Sequence, residues 1–254
     1  MLWYKAWLET RWRFVIGLLL MLCCAAVVVF EYPSVVRLMQ QLPAVAPDGE
    51  IGRRVAEEIR LSRQFRGFVW SHAFGQDLVT VGTFCSVILG VGGLLPRSAG
   101  DATLFTLSLP ASRLQLFGVR AVTGLVEWLA LAMAPAILIS LLAPAVGERY
   151  GLGAALIHGA CLFVAGALFY SLTLHLSAVF GDPWPPLLIT LCLALALAIP
   201  GPLLHVPGRG FYGLMSGEAY FQGGRPPWPG LLGTAALSAV LLAGAFVTFR
   251  RRDV

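Results

Sequence analysis

The feature that most constrains this chain is where its charges do not fall. Of 18 basic and 13 acidic residues, only Glu127 lies inside six long apolar stretches: 14–30, 78–95, 121–146, 151–180, 187–206 and 229–249. Each has the length of a membrane span, about 20 apolar residues, and a charge at mid-bilayer costs at least ~2.5 kcal/mol. The partition predicts an all-α polytopic membrane protein with six transmembrane helices. Composition agrees: 58% of the 254 residues are hydrophobic and 12% charged, against roughly 25% charged in soluble domains. Disorder and a disulfide-rich secreted scaffold are excluded.

Six spans put both termini on one side, side A, with residues 1–13, 96–120, 181–186 and 250–254. Side B holds 31–77, 147–150 and 207–228. Lys and Arg are equally numerous on the two sides, so position decides. Arg11 and Arg13 abut the first span, Arg120 the third, and Arg250, Arg251 and Arg252 the last, whereas the side B arginines mostly alternate with acids in one long loop. Side A is therefore expected to be the cytoplasm. The first apolar run is longer than a signal-peptide core, and no A-x-A site follows it, so it is read as a retained span. Arg in place of Lys, with abundant Ala, Gly and Pro, points to a GC-rich bacterial genome and hence to the bacterial inner membrane.

The single lysine, Lys5, carries a second constraint. Away from the N-terminus the chain can supply no P-loop lysine, no Schiff base and no kinase-type lysine. Nucleotide chemistry would have to lie on another chain.

Outside the spans, Trp3, Ala6, Trp7 and Thr10 share one helical face, which predicts an interfacial helix over 2–13 turning into span one. In the outer loop 31–77, Ile51, Val55 and Ile59 recur every four residues, and Arg53–Glu57 and Arg54–Glu58 are i,i+4 pairs; a surface helix over 50–66 is expected, without a specific ligand. Residues 96–120 predict two short apolar helices on side A, the second opening near Pro110, where proline is tolerated. Such helices either dock in a groove of a partner or fold back on their own bundle.

The run Leu-Gly-Val-Gly-Gly-Leu-Leu at 89–95, then Gly100-Asp101-Ala102-Thr103, then Leu107-Ser-Leu-Pro110-Ala-Ser112-Arg113, resembles the permease subunits of type-2 ABC exporters. The aromatic and basic N-terminal helix and the closing Phe249-Arg-Arg-Arg-Asp253 also resemble that family. The resemblance implies a transporter permease subunit that is not itself an enzyme. It would act as a dimer with a second permease copy or homologue, bound to two ABC ATPase subunits that carry ATP and magnesium. It implies a coupling helix between spans two and three, with Gly100, Asp101, Thr103, Leu104, Phe105, Leu107, Pro110, Ser112 and Arg113 as the ATPase interface. Spans two and five would wall the substrate path. It further implies that the loop 207–228 dips back toward the membrane, with Phe211, Tyr212, Tyr220 and Phe221 as an outer gate; a glycine-rich surface loop is the competing reading.

Other chemistry is thin. Glu127 lies about two turns beyond Arg120 on nearly the same helical face and is read as a structural carboxylate paired near the inner interface, in preference to a transport acid. His158 and His175 are about 25 Å apart along one helix and cannot share a metal; with His72 and His205 they are read as hydrogen-bonded core or interface residues. The five cysteines fall within spans without disulfide or metal spacing. Small residues in spans two, four and six (Gly82, Gly90, Gly92, Gly93, Gly159, Gly166, Ala167) suit close helix packing or a path lining. A non-transport assembly or regulatory membrane protein remains the alternative. An intramembrane hydrolase is disfavoured, because Gly213-Leu-Met-Ser216-Gly217 and Glu57-Glu58 only approximate the motifs such enzymes need.

Overall fold

A computed structural model describes residues 2–41, 61, 63–91, 113–180, 182–198 and 210–251. Every element among them is helical. In chain order these are α1 (Leu2–Gln41), α2 (Phe65–Gly90), α3 (Arg113–Leu142), α4 (Leu152–Val179), α5 (Trp184–Ala198), α6 (Gly210–Ser216), α7 (Glu218–Gly223) and α8 (Trp228–Arg251). Among the described residues, five helices are long and apolar enough to cross a membrane: Leu2–Leu38, Phe65–Gly90, Gln115–Val146, Leu152–Val179 and Trp228–Arg251. The protein is thus a multi-pass helical membrane protein by length and composition. The fifth expected span appears only as α5, a shorter apolar helix of 15 residues; its expected continuation, 199–206, lies outside the described residues.

Two expectations fail. Residues 2–13 do not form a separate interfacial helix, because α1 runs unbroken from Leu2 to Gln41. No residue between Thr10 and Phe14 disfavours helix, and the bundle itself holds that stretch. Ala6 and Thr10 are buried, while Trp3 and Trp7 on the same predicted face are exposed.

The second correction concerns the loop 31–77. Its beginning continues α1, and its end is the first half of α2: a short α-helical turn, Phe65–Phe68, then a π-helix, Val69–Asp77, then regular α-helix, Leu78–Gly90. Phe65, Phe68, Val69, Trp70, Ala73 and Phe74 are core residues. Arg66, Ser71, His72, Gln76 and Asp77 interrupt the apolar pattern and make the segment look like loop, yet the apolar residues between them are what fixes it. Asp77 therefore joins Glu127 as an acid within a span. The expected outer helix over 50–66 lies outside the described residues up to residue 60.

Helix α4 is the centre of the bundle, packed against α2, α3, α5, α6 and α8. Glycines set these distances. A methyl group on Gly166 would collide with Trp128 of α3, and one on Gly159 would crowd Ala132, Met133 and Ala136. Trp128 is fully buried, and its indole Nε1 donates to the Phe163 carbonyl of α4 at 2.9 Å. Gly82 and Gly90 likewise face α3 and α4. At these positions the small residues serve close approach, not a path lining.

Side-chain contacts fix the two ends. Arg13 meets the end of α2, and Phe117 packs on Phe249, all at side A. Tyr32 donates to the Arg63 carbonyl at 3.3 Å, and Phe65 packs on Tyr150, at side B. From Arg13 to Glu31 is about 27 Å of helix at 1.5 Å per residue, close to the ~30 Å hydrocarbon thickness of a bilayer.

Candidate functional site

Two regions gather the polar and aromatic groups that the apolar bundle does not explain. The first is a helical hairpin formed by α6 and α7. Gly217 joins the two helices at φ +71°, and Gly224 ends the second at φ +66°. Both are left-handed positions that favour glycine.

The hairpin lies along α4. Phe211 packs edge-on against Phe169 with ring centroids 5.3 Å apart. Tyr212 donates its hydroxyl to the Ala194 carbonyl of α5 at 2.9 Å, and Met215 is fully buried. At the far end of α6, His158 Nδ1 donates to the Ser216 carbonyl at 2.8 Å. Phe169 lies about 25 Å along α4 from Leu152, and His158 about 9 Å, at 1.5 Å per residue. The hairpin therefore begins near the middle of the central helix and rises toward side B.

An aromatic layer closes over it. Phe74 of α2 stacks on His158 at 4.8 Å, and Tyr220 meets the same imidazole edge-on at 5.4 Å. Trp70 stacks face to face on Phe221, 4.4 Å apart and 4° from parallel, and the Arg66 guanidinium lies 5.7 Å from the Phe221 ring. At the margin, burial pushes the Tyr150 phenol up from its ordinary value.

The four residues expected at an outer gate are thus divided. Phe211 and Tyr212 reach the deep end of the hairpin, where they face α4 and α5. Tyr220 and Phe221 sit at the shallow end against His158 and Trp70. Sequence reasoning missed Trp70, Arg66 and Phe74 as their partners, because residues 65–77 read as loop. It flagged His158 only as a core histidine.

The second region is at side A. Thr10 donates to Glu127 Oε1 at 2.5 Å. Both are buried, as is Arg120, one helical face along α3 from Glu127. The guanidinium of Arg13 meets the carbonyls of Ile88, at 3.4 Å, and Val91. A cation there complements the exposed carbonyls that end a helix. The Tyr170 hydroxyl binds the Ala121 carbonyl at 3.1 Å, tying α3 to α4. An open cleft beside Arg13 is lined by Ile88, Val91, Pro183, Trp184 and Leu187.

The expected coupling residues Gly100, Asp101, Thr103, Leu104, Phe105, Leu107, Pro110 and Ser112 lie outside the described residues. Arg113 is the first residue of α3. Among the described residues no group of His, Cys, Asp and Glu could hold a metal, and the five cysteines are unpaired. His72 binds Ser71 Oγ at 2.9 Å and stacks on Phe68 within its own helix; His205 lies outside the described residues. No family model, no characterised protein and no solved structure matches the chain.

Proposed function

We propose that this chain is the membrane subunit of an ATP-driven exporter of the type-2 ABC class, working as a pair of permease halves on separate ATPase subunits. The observation that carries the reading is the anchoring of α2 and α3 around residues 92–112. Arg13 grips the carbonyls at the end of α2, and α3 begins at Arg113 and is fixed to α4 through Tyr170. With α2 and α3 each tied to the bundle, a push from a partner docked between them would be passed on to it. Its apolar residues Leu104, Phe105 and Leu107 suit a groove on such a partner.

The hairpin supports the same reading. Short helices joined at glycine occur at membrane depth only where protein or a wet cavity surrounds them. In a transporter, α6 and α7 would form the outer gate, with Trp70 and Phe221 as its seal. The absence of lysine beyond Lys5 is in keeping with a nucleotide site on a partner chain.

Purification of the tagged chain from native membranes tests this. An ATPase subunit is expected in the eluate, and Leu104→Asp or Phe105→Asp should remove it while the permease keeps its melting temperature. Recovery of the wild-type chain without any ATPase, or undiminished capture by both variants, would refute the proposal.

A further inference from the structure

The open cleft beside Arg13 joins a cation to apolar walls at the edge of the bilayer. Three helices line it: α1 through Arg13, the end of α2 through Ile88 and the adjoining Val91, and the start of α5 through Trp184 and Leu187, with Pro183 just before them. Arg13 is the one charged residue among these six. The cleft measures about 200 Å³, below the ~300–1,000 Å³ of pockets that enclose a whole small molecule. An occupant therefore places only part of itself inside.

Depth orders the lining. Arg13 marks the side A end of the hydrocarbon layer, and its guanidinium meets the Val91 carbonyl there. Ile88 is three residues deeper than Val91, and Leu187 three residues deeper than Trp184, each about 4.5 Å of helix. Trp184 is exposed at the rim, where tryptophan sits at the headgroup level. The cleft is thus cationic at its mouth and apolar toward the bilayer interior.

The guanidinium has donors to spare. Its bonds to the carbonyls of Ile88, at 3.4 Å, and Val91 both run from Nη1. Among the described residues Nε and Nη2 bond nothing, and Glu9, one turn away on α1, is exposed and does not bond to it. A guanidinium holds its N–H groups in a fixed planar fork. With Nη1 turned to α2, the Nε–Nη2 edge is left to receive an oxyanion through two parallel hydrogen bonds, the arrangement in which arginine grips phosphate.

We propose that this cleft binds a phospholipid of the side A leaflet, with the phosphate on the Nε–Nη2 edge of Arg13 and an acyl chain along Ile88 and Leu187. Charge and polarity together select this occupant. A free phosphate would find one cation and otherwise apolar walls. An amphiphile without phosphate would leave the fork unanswered. A phospholipid matches both ends, in the order that depth imposes. Because Nη1 stays on the α2 carbonyls, the lipid phosphate and the end of α2 share one guanidinium, and the bound lipid joins α1, α2 and α5. The site needs neither an ATPase nor a second copy of the chain, so it stands or falls apart from the transporter reading.

Native mass spectrometry of the full chain, delipidated in detergent, tests this with three probes: phosphatidylglycerol, monogalactosyl diacylglycerol with the same acyl chains, and inorganic phosphate. One phosphatidylglycerol is expected to stay bound per chain after loosely held lipid is stripped, with no comparable adduct of the galactolipid or of phosphate. Arg13→Gln should weaken phosphatidylglycerol binding roughly tenfold or more, as loss of a hydrogen bond to a charged group does. Arg11→Gln, whose guanidinium instead lies 5.6 Å over the Trp12 ring, should leave it unchanged. Arg13→Gln also loosens the end of α2, so Trp184→Glu supplies a variant that spares the bonds of Arg13. It sets a carboxylate at the exposed rim and should weaken binding with the melting temperature unchanged. Equal retention of the galactolipid, saturable binding of inorganic phosphate alone, wild-type affinity in Arg13→Gln or Trp184→Glu, or an equal loss in Arg11→Gln would overturn the proposal.

Discussion

The hairpin's seat can be weighed by comparing two glycines that share a backbone conformation and differ in surroundings. Gly217 and Gly224 have φ of +71° and +66°. A Cβ at Gly224 would meet nothing within 4 Å, whereas one at Gly217 would stand 2.7 Å from His158 Nδ1. Alanine at either site bears the left-handed penalty, about 1–2 kcal/mol. Only at Gly217 must the imidazole also retreat. That breaks its bond to the Ser216 carbonyl inside a fully buried site, and unpairing a buried donor costs about 1–3 kcal/mol. His158 cannot swing freely, because Phe74 stacks on one face and Tyr220 meets its edge. Gly217→Ala should therefore destabilise the hairpin by roughly 2–5 kcal/mol, the sum of those two ranges, and Gly224→Ala by the first alone. Hydrogen exchange in detergent or nanodiscs reads this directly, through faster exchange over 210–223 in Gly217→Ala and a smaller effect confined to the end of α7 in Gly224→Ala. Equal effects of the two variants would refute the argument, since they would mean that the contact with His158 contributes nothing to seating the hairpin.

Two further perturbations probe the rest of the bundle. Thr10→Val leaves Glu127 buried without its donor and should lower stability by about 1–3 kcal/mol, with Thr10→Ser restoring most of it; thermal unfolding of the three proteins checks this, and an unchanged melting temperature in Thr10→Val counts against the α1–α3 clamp. Burial raises the Tyr150 phenol in the folded chain, so the unfolded chain, ionising near pH ~10, is favoured as pH rises. The contribution is complete below pH ~10 and is lost as pH climbs toward the folded value. Tyr150→Phe, whose lost hydroxyl has no partner among the described residues, should flatten the alkaline limb of a stability–pH curve and leave the neutral limb in place.

How much of this was legible in the sequence depends on whether a residue's neighbours were visible along the chain. The spans around α1, α3, α4 and α8 could be read because an uncharged run of the right length has one solution in a membrane. The side A cluster was half legible. Arg120 and Glu127 announced themselves by sharing a helical face, but Thr10 is 117 residues from Glu127 in sequence, and no local pattern connects them. The interfacial helix was misread for a related reason. Alternation of Trp with Ala and Thr looks amphipathic toward a lipid surface, while it is Ala6 and Thr10, the small members of that face, that pack inward on the bundle. Aromatic residues dominated the pattern and small residues made the contact.

The first half of α2 was lost because polar residues interrupt its apolar ones, which are nonetheless buried. Period-based reading assumes 3.6 residues per turn, and the π-helix over Val69–Asp77 has a longer repeat, i to i+5, so its buried and exposed residues do not fall into a standard stripe. The wide turn matters for what the helix presents. It lets Trp70 and Phe74 turn inward to Phe221 and His158 of the bundle, while Gln76 and Asp77 emerge on the opposite surface, in register with Thr80, Phe84 and Ile88. One irregular stretch thus sets both the hairpin's partners and the exposed row Gln76, Thr80, Phe84 and Ile88. Any change that restores a regular α-helical repeat there must disturb one of the two. The hairpin and the exposed residues of α2 are consequently coupled through residues 69–77, and a change that shifts the π-helix would alter both together.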